Sequence, residues 1–307
     1  MAFSEKTKNE LARVVPEQRC CRLAELSAFY DFNGYLMGGQ GRYLDISHSS
    51  PVVARKILNL IRGLFPVVQT QILLQRARLR KNQVCTVRVL RPTDAQLIHA
   101  TLLDQKLVSS ESKVLAKRCC RRAYIRGAFL SHGSVTNPER TYHLEIFTEK
   151  TEIAHRVIKT INSLSLEARM TTRKGNMVVY LKEGEQIVTL LSVMGAHIAL
   201  LELENIRIVK GMRNQVNRLV NCETANVDKT IQASMEQIED IKALQKHMNL
   251  ESLPPKLYEI AKLRLENPYA SLKELGEMIT PAMSKSGINY RINQIHRLRS
   301  KLDLDSH

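Results

Sequence analysis

The chain has 307 residues, 44% of them apolar, and carries 46 Lys and Arg against 30 Asp and Glu, a formal net charge of +16. That composition is enough for two or three domains with cores of their own, so a disordered chain is excluded, and the basic excess favours polyanions, nucleic acid before an anionic membrane. The amino end has no apolar signal segment, and Ile187 to Leu203, broken by Thr189, Ser192, His197 and Glu202, is too short and polar for the ~20 residues of a span.

In chain order, the first clear element is a helix from about Glu17 to Phe32, with Leu23, Leu26, Phe29 and Tyr30 three and four residues apart and Gly34 ending it. A strand pair follows. Leu73, Ala77 and Leu79 are read onto one face and Arg76, Arg78 and Arg80 onto the other, with a turn at Lys81-Asn82. The returning strand, Val84 to Leu90, places Thr86 and Arg88 opposite Cys85, Val87 and Val89.

The whole pattern then returns at a shift of 99 residues. Arg19-Cys20-Cys21-Arg22-Leu23-Ala24 matches Arg118-Cys119-Cys120-Arg121-Arg122-Ala123, and both runs reach a glycine at the same distance, Gly34 and Gly133. Tyr43-Leu44-Asp45-Ile46 pairs with Tyr142-His143-Leu144-Glu145-Ile146, and Val53 to Ile57 with Ile153 to Val157. Arg169, Thr171 and Arg173 alternate before a Lys174-Gly175-Asn176 turn and the strand Met177 to Leu181. Two sheets with one basic face each are expected. Such a face can be merely solvated, or can lay a two-stranded ribbon against DNA, where Arg meets guanine and phosphate.

The cysteines, Cys20-Cys21, Cys85, Cys119-Cys120 and Cys222, have no CxxC spacing and no partnering His pair. The expected role is small buried thiols in a reducing cytosol, with neither metal nor cofactor.

The segments Leu26 to Gly34 and Ile125 to Gly133 resemble two degenerate copies of the LAGLIDADG helix of homing endonucleases. That resemblance implies two helices crossing at a pseudo-twofold axis, with Ala28 and Gly127 as the small residues that let them approach, and two saddle-shaped sheets astride DNA. It also implies where catalytic acids would stand, just before the final glycine. Asn33 and His132 occupy those positions here, and Asp31, about 200 degrees around the helix, is a poor substitute. No catalytic residue is therefore expected, because two carboxylates are needed to hold the ions that activate water.

Further on, Asp228 to His247 keeps a helical period through Ile231, Met235, Ile238, Ile241 and Leu244, stopped by Leu250 and Pro254-Pro255. Leu257, Ile260, Ala261 and Leu263 make a helix closed by Asn267-Pro268, and Ser271 can cap a second with Leu272, Leu275, Met278 and Ile279. After a turn containing Thr280 and Pro281, Ser284 caps a third helix, with Ile288, Ile292, Ile295 and Leu298 as its buried stripe. Lys285 to Lys301 contains no acid. Ser284, Lys285, Ser286, Asn289, Tyr290, Arg291, Gln294 and Arg297 form its outer face, types suited to guanine, adenine and phosphate. A plain basic three-helix bundle is the alternative. The polar string from Asn214 and Asn217 through Asn221, Glu223, Thr224 and Asn226 stays unassigned: it could dock the DNA-binding parts, touch DNA, or be a helix end with 221–226 as a connecting turn.

Phe3-Ser4 with Lys6 to Leu11, Arg126 to Leu130 with Gly133 to Val135, and Asn217 to Asn226 together resemble the WhiA family of bacterial DNA-binding regulators over nearly the whole chain. The resemblance implies a homing-endonuclease scaffold without cleavage, a carboxyl-terminal helix-turn-helix, and roles in transcription, cell division, chromosome segregation and sporulation. The expectation is thus an α+β chain: αββαββα halves at 1–110 and 111–205, a helical linker at 206–250 and a helix-turn-helix bundle at 251–307. It binds double-stranded DNA through the sheet-face arginines and the third helix, with other regulators or RNA polymerase as further partners. The expected location is the cytoplasm, at the nucleoid. Two competing readings are an active nuclease, and an amino-terminal protein-interaction platform with only the bundle touching DNA. The charge is uneven: +12 of the +16 lies in residues 1–205, so salt sensitivity is expected mainly in the sheets and sequence choice mainly after Ser284.

Overall fold

The structure, a computed structural model, describes residues 2–38, 43–76, 83–104 and 115–305. It divides into two compact units, Met1–Lys210 and Gly211–His307. The first opens with α1 (Phe3–Arg13) and then runs α2 (Arg19–Asn33), β1 (Gly34–Met37), β2 (Tyr43–His48), α3 (Pro51–Leu64), β3 (Thr70–Arg76), β4 (Gln83–Val89) and α4 (Pro92–Asp104). The same αββαββα order repeats as α5 (Arg118–His132), β5 (Gly133–Val135), β6 (Leu144–Thr148), α6 (Thr151–Asn162), β7 (Arg169–Arg173), β8 (Asn176–Leu181) and α7 (Gly184–Met194). Each half folds its strands into one antiparallel sheet, in the orders β1-β2-β4-β3 and β5-β6-β8-β7.

The helices cover one face of each sheet because the strands alternate. Leu44, Ile46, Cys85, Val87 and Val89 are buried in the first sheet, and Leu144, Ile146, Val179 and Leu181 in the second, all in one continuous core. Amphipathic α3 supplies Val53, Ile57, Leu60, Ile61 and Leu64 to it, and α6 supplies Ile153, Val157 and Ile161. At the β7–β8 hairpin Lys174 and Gly175 both have positive φ, the two-residue turn whose twist suits antiparallel strands.

The halves join through α2 packed on α5. A Cβ added at Gly127 would stand 2.7 Å from the Glu25 carbonyl oxygen and 2.8 Å from Ala28 Cβ, so this crossing depth requires glycine. Fully buried Glu25 meets Lys56 at 2.7 Å and Arg126 through two hydrogen bonds of 2.8 and 2.9 Å. Removing either cation would strand a buried carboxylate, so the network fixes how the halves register.

Two sequence expectations change here. Leu73 stands opposite Thr86 in the β3–β4 register, so it shares a face with Thr86 and Arg88, and Arg76, three residues on and opposite Gln83, is out of phase with Arg88. Leu73 and Arg76 do lie on opposite faces, as the alternation predicts, but the Arg88 face is the one that carries Leu73, so Arg76 and Arg88 do not make one basic face. Ala77 to Asn82, including Arg78 and Arg80, lie outside the described residues. Second, of the readings left open for 221–226, the connecting turn is excluded. A single helix, α8, runs from His197 to His247, with the division between units at Lys210 and Gly211, and residues 211–230 are exposed throughout. No Gly or Pro interrupts residues 212–247, so nothing local breaks the helix.

In the second unit α9 (Pro255–Glu266), α10 (Leu272–Glu277) and α11 (Lys285–Asp305) close around Ile260, Leu275, Ile279, Ile288 and Ile292, with Ile241 and Leu244 of α8 in an adjoining cluster. On α8 Ser234 and Asp240 are buried whereas Met235 is exposed, contrary to the apolar stripe expected there. Both polar groups have partners: Arg264 donates to Ser234 Oγ at 3.1 Å, and Asp240 accepts from Arg299 at 2.5 Å and pairs with His296 at 2.7 Å. No helix among the described residues is long and apolar enough to cross a membrane.

Candidate nucleic-acid interface

The carboxyl ends of α2 and α5 bring Asn33 and His132 together, with Asn33 Nδ2 donating to His132 Nε2 at 3.4 Å. The imidazole stacks on Phe147 (centroids 4.8 Å apart, 14° between planes) and meets the edge of Phe32. Burial, with His48 and Lys8 nearby, pushes it down to about 4, so it is neutral at neutral pH. Burial also lowers Lys8 to about 8. His48 donates from Nε2 to the Leu130 carbonyl at 3.1 Å and accepts from the Ser50 amide at 2.9 Å, which fixes its tautomer.

An ammonium, two imidazoles and an amide are thus gathered where this scaffold would need two carboxylates. They do not fit a hard divalent ion, which takes oxygen ligands. Asp31 cannot substitute: it is 2% exposed, and its Oδ2 accepts from Tyr124 at 2.8 Å and Arg156 at 2.6 Å.

The open faces of the two sheets differ. In the first, Tyr35, Asp45, Arg88 and Gln71 form one cross-strand row. Arg88 grips Asp45 with Nε–Oδ1 at 2.8 Å and Nη2–Oδ2 at 2.7 Å, and its guanidinium lies over the Tyr43 ring. The hydrogen-bonded Asp45 carboxylate raises the Arg88 pKa further. Arg88 is therefore a neutralised side chain, and the described part of this face lacks the free basic row expected of it.

In the second sheet the equivalent row is Ser134, Glu145, Tyr180 and Arg169. Arg169 is exposed and has no ion pair among the described residues, while Arg173 reaches Glu145 at 3.5 Å with its side chain 67% exposed. Sequence reasoning missed the aromatic groups on these faces, Tyr35, Tyr43, Phe147 and Tyr180, although alternation in Tyr43 to His48 and Leu144 to Thr148 contains the signal.

The helices of the helix-turn-helix start where the sequence predicts, but α10 ends at Glu277 and Met278, expected among its apolar residues, is exposed. Ser271 and Glu274 form a reciprocal capping box at α10, and Ser284 Oγ accepts from the Gly287 amide at 3.3 Å to start α11. A Cβ at Gly276 would collide with the Met283 carbonyl, so only glycine lets α10 close on the turn before α11. Ile288, Ile292 and Ile295 are buried, which turns Ser284, Lys285, Ser286, Asn289, Tyr290 and Arg297 outward and leaves Arg291 and Gln294 half-buried. Asn293, also exposed on α11, was not foreseen.

A duplicated LAGLIDADG-like scaffold without its acidic pair, joined to a helix-turn-helix, defines the class. Family models match in the same order: the WhiA N-terminal LAGLIDADG-like domain at 19–103, the WhiA LAGLIDADG-like domain at 121–213 and the WhiA C-terminal HTH domain at 216–299. Probable cell division protein WhiA of Heliobacterium modesticaldum is 48% identical over 97% of this chain and 96% of its own length. That of Desulforamulus reducens is 48% identical over 98% and 96%. The crystal structure of full-length DUF199/WhiA from Thermatoga maritima superposes with a TM-score of 0.62 and 26% identity, covering 98% of this chain and 99% of that one. The chain belongs to the WhiA family.

Proposed function

We propose that this chain is a non-enzymatic, sequence-specific DNA-binding regulator of transcription, acting at the nucleoid. The observation that carries this reading is α11: a capped helix with no acid from Lys285 to Lys301, whose Asn289, Tyr290 and Arg297 are exposed and have no side-chain hydrogen bond or ion pair among the described residues. Such a helix fits the major groove, its first turn beside phosphate and its Asn and Arg beside base edges. The open face of the second sheet, with Arg169 and Arg173, adds phosphate contacts that position the protein without reading sequence. The relatives' naming as cell division proteins supports a role in that process, with chromosome segregation and sporulation as further expectations of the family resemblance. RNA polymerase or other regulators are the protein partners this role implies. The expected domain limits, 1–110, 111–205, 206–250 and 251–307, belong to the same proposal.

The test is binding-site selection with Asn289→Ala and Arg291→Ala. Each change is expected to cost about 1–3 kcal/mol of discrimination at one base position while nonspecific affinity holds. Uniform weakening on all sequences would defeat base readout by α11. Sustained magnesium- or manganese-dependent cleavage that responds to Asn33 or His132 would instead establish a nuclease.

A further inference from the structure

The first turns of α2 and α5, about 20 Å from Asn33 and His132 by the helical rise, hold a cluster that DNA binding does not use. Cys20 and Cys21 lie in one turn, Cys119 and Cys120 in the other. All four Sγ atoms fall within 4.8 Å of one another. We propose that Cys20, Cys21, Cys119 and Cys120 form a tetrathiolate zinc site that joins the two αββαββα halves across their pseudo-twofold axis.

The spacing selects the metal. Zinc–thiolate bonds of about 2.3 Å give a tetrahedron with sulfurs about 3.8 Å apart, which this cluster reaches by movements of about 1 Å. A four-iron cube needs its thiolates spread wider, because iron and sulfide must fit between them. A disulfide would draw two sulfurs together and leave the others out, whereas here all four converge.

The surroundings carry positive potential. Each pair lies in the first turn of a helix, at the positive end of its dipole, and the cap residue there, Gln18 or Lys117, makes no side-chain capping bond. Arg22, Arg121 and Arg122 donate to the carbonyls of Pro16, Leu115 and Val193, and none pairs with an acid among the described residues. They can balance the two negative charges of zinc with four thiolates. Gln18 Oε1 accepts from Cys20 at 3.5 Å, Cys119 at 3.5 Å and Cys21 at 3.8 Å; turned end for end, the same amide donates to thiolates.

Binding Zn²⁺ forms four Zn–S bonds and sends the four thiol protons to solvent, with no change of oxidation state. Entry is open: Cys20 and Cys119 are half-buried, and a cleft lined by Gln18, Cys21, Cys119 and Arg122 reaches the sulfurs.

The experiment titrates the reduced, metal-free full-length chain with Co²⁺ and then Zn²⁺. One Co²⁺ per chain is expected, with intense sulfur-to-cobalt charge transfer and tetrahedral ligand-field bands, abolished by one equivalent of Zn²⁺. Zinc should also protect four of the six thiols from a disulfide reagent. Cys20→Ser and Cys119→Ser should each weaken zinc by at least about a hundredfold, beyond the usual effect of outer-shell changes, and Cys222→Ser should leave it unchanged. Absence of the charge-transfer band in the wild type would overturn the proposal without recourse to any variant. So would equal zinc affinity in Cys20→Ser, or an intrachain disulfide in the native protein whose reduction creates no cobalt site.

Discussion

The pairing of Arg88 with Asp45 makes a quantitative prediction about DNA binding. If Arg169 contacts phosphate, Arg169→Gln removes about 0.9 from the slope of log affinity against log salt. Raising salt roughly fourfold should then cost this variant about 3.5-fold less affinity than it costs the wild type. Arg88 should behave differently. Its guanidinium already satisfies a carboxylate that is 1% exposed, through two bonds of 2.7 and 2.8 Å. Arg88→Gln alone would strand Asp45 and confound charge with folding, so the informative variant is Asp45→Asn with Arg88→Gln, which keeps the net charge. It should leave the slope unchanged, whereas Asp45→Asn alone frees Arg88 and should steepen it by up to about 0.9. Fluorescence anisotropy on a nonspecific duplex across a salt series reads all four proteins. A slope reduced as much in the double variant as in Arg169→Gln would show that Arg88 abandons Asp45 for DNA, and the argument would fail.

Two further outcomes follow from the α2–α5 crossing. Gly127→Ala would gain about 1 kcal/mol from helix propensity alone, but its Cβ meets a carbonyl oxygen at 2.7 Å, so a net loss of about 1–3 kcal/mol is expected in denaturant unfolding; a more stable variant would contradict the crossing depth. His132, at about 4 in the folded chain against 6.5 unfolded, takes its proton more readily when unfolded. Stability should therefore be complete above about pH 6.5 and decline as pH falls toward 4, more steeply than in His132→Asn. Parallel declines in the two proteins would refute a buried neutral imidazole.

Much of this was legible along the chain because it is local. The 99-residue echo announced two halves, three- and four-residue spacing of isoleucines placed the stripe of α11, and Ser271 and Ser284 marked the starts of α10 and α11. Once the resemblance places an acidic pair before the two glycines, its loss is visible in the residue types at Asn33 and His132. The strand faces were less legible, since Ile72, Leu73 and Leu74 are apolar in succession and only the register with Val87, Thr86 and Cys85 assigns them. Asn221 to Asn226 look like turn formers, yet helix continues through them because α8 meets no breaker there.

What belongs to the sequence itself is therefore the duplication, the helix-turn-helix and the chemistry available at each position. Tertiary structure decided which of those groups are free to act. Arg88 is spent on an aspartate 43 residues away, and four cysteines without a metal-binding spacing become one cluster. The physical reason is common to both: ionic and metal chemistry depends on distance in space, which strand pairing and a twofold-like axis set. The 99-residue offset held that information, since Ala28 and Gly127, Asn33 and His132, and Cys20 and Cys119 are all related by it and all meet at the crossing of α2 and α5.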